Sequence, residues 1–222
     1  LVRVEPCLEL RRKIGNRVDV AATLSMLGTV RLHEDDAERA RACDEEALEI
    51  FRSIDDRIGE AIGLEHLGEI ALHVADSAKA RDYFEQCLAI ARSIDHLELE
   101  GNCELSLGEL SLQAADLPAA RQRFARALEV AKDSANTRGE ALALWWIGKA
   151  DMAEGHSESA RTNLGAALRT FQADQMHAEM LGCIEDHAGL WASLGSAHEA
   201  ARIYGAAAAA RERLVLRRSA PS

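Results

Sequence analysis

Four registers of this sequence return every 40 residues, and that period constrains the fold more than any other feature. Leu27-Gly28 recurs as Leu67-Gly68 and Leu107-Gly108, then as Ile147-Gly148. Ala40, Ala80, Ala120, Ala160 and Ala200 keep the same step, as do Leu48, Leu88, Leu128 and Leu168, which end in Ala208. A fourth register carries large side chains at Phe84, Phe124, Leu164 and Tyr204, with Asp44 as its exception. One period held by several registers marks a stack of similar units, each burying its apolar face only against its neighbours. The 222 residues hold about five and a half such units.

Each unit reads as two helices. In residues 57–96, Ile58, Ile62, Leu64, Leu67 and Ile70 form one apolar stripe. Ala80, Phe84, Cys87, Leu88 and Ala91 form the other, at spacings of three and four. The hairpin breaks fall at polar points: Asp35-Asp36, Ala75-Asp76-Ser77, Asp116-Leu117-Pro118, Gly155-His156-Ser157 and Gly195-Ser196. Links between units fall near Asp55-Asp56, Asp95-His96, Ser134-Ala135-Asn136 and Asp174-Gln175. Ser77 is expected to cap a helix, and Pro118 sits near a helix start, where its missing N–H does no harm. The low aromatic content, 4%, also favours helices over sheets. Gly28, Gly68, Gly108 and Gly148 fall in mid-helix, where Gly costs up to about 1 kcal/mol relative to Ala. Their recurrence implies that a neighbouring helix backbone passes close by.

The expected fold is therefore all-α, a right-handed α-solenoid of about five and a half helix-turn-helix repeats in one domain, residues 1–222. Cys7-Leu8-Glu9-Leu10 aligns with Ala47-Leu48-Glu49-Ile50, so residues 1–16 read as half a repeat. Repeats follow at 17–56, 57–96, 97–136 and 137–176, with the last repeat and a C-terminal cap at 177–222. The half repeat and the initial Leu1 point to a fragment of a larger protein. Its first helix, Val4–Ile14, is expected to leave Leu8 and Leu10 uncovered and open to self-association.

Leu107-Gly108, Ala120, Phe124 and Ala127-Leu128, matched by Leu67-Gly68, Ala80, Phe84 and Cys87-Leu88, resemble the tetratricopeptide repeat. The likeness runs over nearly the whole chain but departs from the usual 34-residue unit, resembling a 40-residue variant. The segment Ala200-Ala201-Arg202-Ile203-Tyr204-Gly205-Ala206-Ala207, with Arg211-Glu212-Arg213-Leu214, is similar to the end of the helical-repeat region in bacterial signal-transduction ATPase regulators. Those regulators carry adenylate-cyclase-like or DNA-binding output domains. The resemblance implies a non-catalytic module of a larger cytosolic signalling or transcriptional regulator, binding a protein, peptide or small effector. A stand-alone scaffold or adaptor protein is the alternative.

Chemistry is sparse. There is no Gly-x-x-x-x-Gly-Lys-Ser/Thr loop, no His-Glu-x-x-His helix and no Gly-x-Ser-x-Gly elbow. No catalytic residue, metal ligand or cofactor is assigned. Asp35-Asp36 and Asp55-Asp56 fall at turns and read as solvated turn and capping residues. His33 and His73 share a repeat position and read as inherited surface residues. Cys7, Cys43, Cys87, Cys103 and Cys183 contain no Cys-x-x-Cys and read as free thiols of a cytoplasmic protein. A net charge of −11 argues against direct nucleic-acid binding through a basic surface. No apolar run approaches the roughly 20 residues of a membrane span.

What remains is a groove. The resemblance implies that first helices line a concave face and bind peptides there. Carried onto this chain, that face holds Glu65, Glu69, Leu72, Asn102, Leu105, Glu109, Trp145, Lys149 and Glu185. Its carboxylate row, Glu65, Glu69 and Glu109, favours a basic partner. Trp145 is expected to face the groove, and Trp146 to tilt towards the neighbouring first helix, since adjacent helical side chains point about 100° apart.

Overall fold

The structure is a computed structural model that describes residues 4–219, with side chains through Arg213. Leu1 and the side chain of Leu214, both used above, lie outside the described residues. Among those described, eleven helices and no strands are present: α1 Val4–Ile14, α2 Arg17–His33, α3 Ala37–Ser53, α4 Arg57–His73, α5 Ser77–Ser93, α6 Leu97–Gln113, α7 Leu117–Asp133, α8 Thr137–Ala153, α9 Ser157–Ala173, α10 His177–Ser193 and α11 Ala197–Ser219. The fold is an all-α solenoid of helix-turn-helix repeats. From α2 to α10 every helix is 17 residues long and every turn is three, so the 40-residue repeat is two 20-residue halves.

One three-residue turn is used throughout. After α4, the amide of Asp76 donates to the Ala71 carbonyl at 2.8 Å, closing the last helical turn from outside. The Asp76 carboxylate then accepts from the Lys79 amide at 3.2 Å and caps α5. Asp36, Asp56, Asp116 and Asn136 hold the same double role. Asp76, rather than the expected Ser77, is thus the cap, because the helix already begins at Ser77. The middle residue of each turn takes a positive φ: Asp35, Asp55, Ala75, Asp95, Ala115, Ala135, Gly155, Gln175 and Gly195.

The chain forms two compact units, residues 1–110 and 111–222. In the first, α1 to α5 pack each on the next, and α2 also touches α4. Its core includes Leu64, Leu67, Ile70, Phe84, Leu88, Cys103 and Leu107, with a second cluster around Leu24, Leu27 and Phe51. Leu8 belongs to that second cluster and is 7% exposed, so the expectation that it lies uncovered does not hold: α2 covers it. Leu10 and Ile14, on the outer face of α1, are exposed. In the second unit, α7 to α11 pack in succession around Leu164, Ala167, Phe171, Cys183 and Leu190.

Gly28 and Gly68 lie against side chains rather than the neighbouring backbone the sequence suggested, whereas Gly148 lies close to both the Leu164 side chain and its backbone nitrogen, 3.3 Å from where a side-chain carbon would stand. A carbon built on Gly68 would meet the Phe84 ring at 2.6 Å, and one on Gly148 would meet the Leu164 side chain at 2.8 Å. In the hairpins α2–α3, α4–α5 and α8–α9 the glycine register and the large-residue register are therefore two halves of one joint.

Candidate functional site

Six of the nine expected groove residues lie in the first unit. Glu65 and Glu69 project from α4, one helical turn apart, with Leu72 one turn further. Asn102 and Leu105 come from α6, and the Asn102 amide donates to Glu65 Oε1 at 2.9 Å, which places the first helices α4 and α6 side by side. Leu72, Leu105 and Glu109 are half-buried and Glu69 is exposed. Burial pushes the Glu65 carboxyl above the ordinary range and the Glu69 and Glu98 charges push the same way, while Asn102 opposes them. The Glu69 carboxyl is also raised by desolvation and by the charge of Asp44, against the pull of His66 and His33.

A residue outside that set joins them. Asp44, on α3, occupies the register that holds Phe84, Phe124 and Leu164 in later repeats, and like them it is fully buried. Its Oδ2 lies against Gly28: a carbon built there would stand 2.1 Å away. His66 Nδ1 pairs with Asp44 Oδ1 at 3.2 Å, whereas Oδ2 has no hydrogen-bond partner. A small open cleft above Asp44 is walled by Gly28, Thr29 and Leu32 from α2 and by His66, Glu69 and Ile70 from α4. Burial raises the Asp44 carboxyl despite the His66 hydrogen bond. Desolvation works to lower the His66 pKa, but the Asp44 hydrogen bond with the Asp44, Glu69 and Glu65 charges outweighs it, and the net shift is upward. The signal for Asp44 was in the sequence, as the single break in the large-residue register. His66 carried no such mark.

In the second unit Trp145, Lys149 and Glu185 are bound up with their own neighbours. The Trp145 indole N–H donates to Asp186 Oδ2 at 2.7 Å, and its ring meets Phe171 edge-on at 5.7 Å. Lys149 Nζ stands 4.3 Å from the centre of the Trp146 ring and 5.4 Å from that of Trp145, so this protein's own ammonium already lies over both rings. Glu185 forms a two-pronged ion pair with Arg211 of α11, which holds its carboxyl below the usual range. Trp146 stacks on Phe124 of α7, centroids 5.7 Å apart, rather than turning to a neighbouring first helix. The hollow for it exists because α7 is the second helix of the preceding repeat and packs directly on α8.

Two further clusters escaped the sequence reading. Asp151, Glu154 and His156 bring ligand-type atoms within 4.8 Å of one another. Against desolvation, hydrogen bonds from Ser159, Arg121 and Asn163 hold the Asp151 carboxyl below its ordinary value, and the Arg121 guanidinium, 2.8 Å from Asp151 and 2.5 Å from Glu154, holds Glu154 below its own. The buried thiols of Cys87 and Cys103 face each other, and that contact with burial pushes Cys103 well up. Burial likewise pushes Cys183 up to about 12. No described helix is long and apolar enough to cross a membrane.

Comparison with known proteins adds to this geometry. No curated protein sequence matches the chain. Among solved structures it is similar to BtubC from P. vanneervenii, with a TM-score of 0.77 at 17% identity, covering 100% of this chain and 92% of that one. It is similar to a Rap protein complexed with competence and sporulation factor, with a TM-score of 0.74 at 16% identity over 86% of this chain and 53% of that one. It also resembles the signal transduction ATPase with numerous domains from Pyrococcus horikoshii that carries a tetratricopeptide repeat sensor, with a TM-score of 0.69 at 17% identity over 92% of this chain but 31% of that one. A model of the tetratricopeptide repeat matches residues 19–93 and 59–133, together just over half of the sequence. With its paired 17-residue helices and this family match over more than half of its length, the chain belongs to the tetratricopeptide repeat family.

Proposed function

We propose that this chain is a partner-binding module of a larger signalling or transcriptional regulator, and that the first-helix face of residues 57–110 takes a basic peptide segment. The family supports the module reading, since tetratricopeptide repeats generally serve protein interaction rather than catalysis. The likeness to a repeat sensor attached to a signal-transduction ATPase supports the regulatory setting. The observation that carries the basic partner is the carboxylate pair Glu65 and Glu69 beside half-buried Leu72 and Leu105, with the Asp44–His66 pair beneath. Packed carboxylates of like charge are relieved by a cation. Glu109 extends the row on α6.

Selecting peptides from a random displayed library on the whole 222-residue chain tests this. Selected sequences should be rich in Lys and Arg. Glu69→Lys with Glu109→Lys should weaken them at least tenfold, and the loss should shrink at high salt, because exposed charges are screened beyond about 10 Å at 0.1 M. Selected peptides without positive charge, or binding indifferent to the reversal, would overturn the reading.

A further inference from the structure

We infer that the cleft floored by Asp44 is a socket for a primary alkylammonium group, the tip of a lysine side chain presented by the bound peptide. The inference rests on the peptide reading above and names the group that one point of that surface holds.

The floor is the first reason. At this register the fold has room for an aromatic ring: Phe84 and Phe124 fill the equivalent place completely, and Gly28 supplies the same hollow as Gly68. Asp44 is smaller and charged, with its side chain 1% exposed. A buried carboxylate oxygen without a partner is costly, and proteins keep such groups paired or bound to a ligand. His66 satisfies only Oδ1, so Oδ2 is left unpaired beneath the cleft, packed against Gly28.

The walls select the ligand. Half-buried Leu32 offers apolar surface to a methylene stem, as aliphatic stems of charged side chains prefer, and Ile70 lies buried behind it. At the rim Glu69 supplies a second carboxylate. Thr29 Oγ1 donates its own proton to the Ser25 carbonyl at 3.1 Å and so presents lone pairs. Asp44 Oδ2, Glu69 and Thr29 together match the three donors of an ammonium group. A guanidinium is a poorer fit, because it pairs best with both oxygens of one carboxylate and Asp44 has one free. A divalent cation is a poorer fit too. Asp44, Glu69 and His66 are not among the described groups of three ligand-type residues whose atoms converge within 4.8 Å, and two walls are hydrocarbon. Around the site the carboxylates Asp44, Glu65 and Glu69 outnumber the imidazoles, His66 among them and His33 near Glu69, so the cleft attracts a cation.

The test is titration of the full chain, followed by the ring C–H resonances of His66, which border the cleft. The probes are n-butylamine, the tripeptide acetyl-Ala-Lys-Ala-amide, and that tripeptide acetylated on its lysine. The expected result is saturable binding of butylamine and tighter binding of the tripeptide, with none for the acetylated form. Asp44→Asn should weaken both at least tenfold. Asp44→Phe, which places here the residue found at this register in the next two repeats, should abolish both while the chain stays folded. Butylamine binding unchanged in Asp44→Asn would overturn the socket, as would calcium or magnesium giving the Asp44-dependent shift while butylamine gives none. Butylamine binding as tightly as the tripeptide would overturn the peptide lysine as its source. Failure of the library selection with butylamine still bound through Asp44 would sink the peptide surface and leave the ammonium socket standing.

Discussion

The Phe84 ring fills the hollow left by Gly68: its Cε1 lies 2.6 Å from the place where a side-chain carbon on that glycine would stand. The two residues are sixteen apart in sequence and face each other across the hairpin of α4 and α5. The same joint sets Leu164 on Gly148 and Asp44 on Gly28. A glycine that loses about 1 kcal/mol of helix propensity is retained because it admits a large side chain that buries fully.

Gly68→Ala should therefore destabilise the protein although Ala is the better helix former. Overpacking a rigid ring costs about 1–3 kcal/mol, which exceeds the propensity gain of about 1 kcal/mol. Adding Phe84→Leu should recover part of the loss relative to the sum of the single changes, because the two residues share one contact. Urea denaturation midpoints read both effects, and a Gly68→Ala midpoint at or above the parent's would contradict the joint.

Asp44→Phe should stabilise the fold by about 1.5–3 kcal/mol near neutral pH, the gain from burying a Phe side chain. The gain should grow with pH. Folding raises the Asp44 carboxyl above 3.8, so its favourable contribution is complete below that value and lost as pH rises through the folded value. Folding raises His66 above 6.5 chiefly through Asp44, and that contribution too is lost as pH rises through its folded value. Glu65, Glu69 and His33, the other titratable groups nearby, remain in both proteins. Stability differences measured from about pH 4 to pH 8 should widen steadily; a constant difference would show that Asp44 does not titrate as a buried acid.

Ala115 and Gln175 hold φ values of 59° and 55° at the middle of their turns. A left-handed conformation costs an L-residue about 1–2 kcal/mol, and Gly returns about 0.5–1 kcal/mol of that in lost chain entropy. Ala115→Gly and Gln175→Gly should each raise the thermal midpoint, by a net gain of up to about 1 kcal/mol. Ala125→Gly, at an exposed position inside α7, should lower it by a similar amount.

Arg121→Leu should cost roughly 1–3 kcal/mol at neutral pH, because it strips a charged partner from buried Asp151 while Ser159 and Asn163 remain. Asp151 and Glu154 are lowered by folding, so they contribute stability above about their ordinary values and lose it as pH falls through the folded ones. The penalty of Arg121→Leu should thus shrink in acid. A penalty equal at about pH 3 and pH 7 would assign Arg121 a packing role alone.

The 40-residue period alone determined the class of fold, the hairpin and link positions and the pairing of apolar stripes, because every repeat must meet its neighbours in the same way. It also marked Asp44, since a break in a periodic register is visible without coordinates. Tertiary structure decided what the registers touch. Periodicity showed that Gly68 needs space but could not show that Phe84, rather than a backbone, takes it. Among the described residues, the bond from Trp145 to Asp186, the Lys149 ammonium over the two indoles, the Asp44–His66 pair and the facing thiols of Cys87 and Cys103 each occur at a single place. Such contacts depend on particular side chains and do not recur from repeat to repeat. A period reveals only what each unit shares, so the groups that distinguish one part of this surface from another become visible only once the helices are packed.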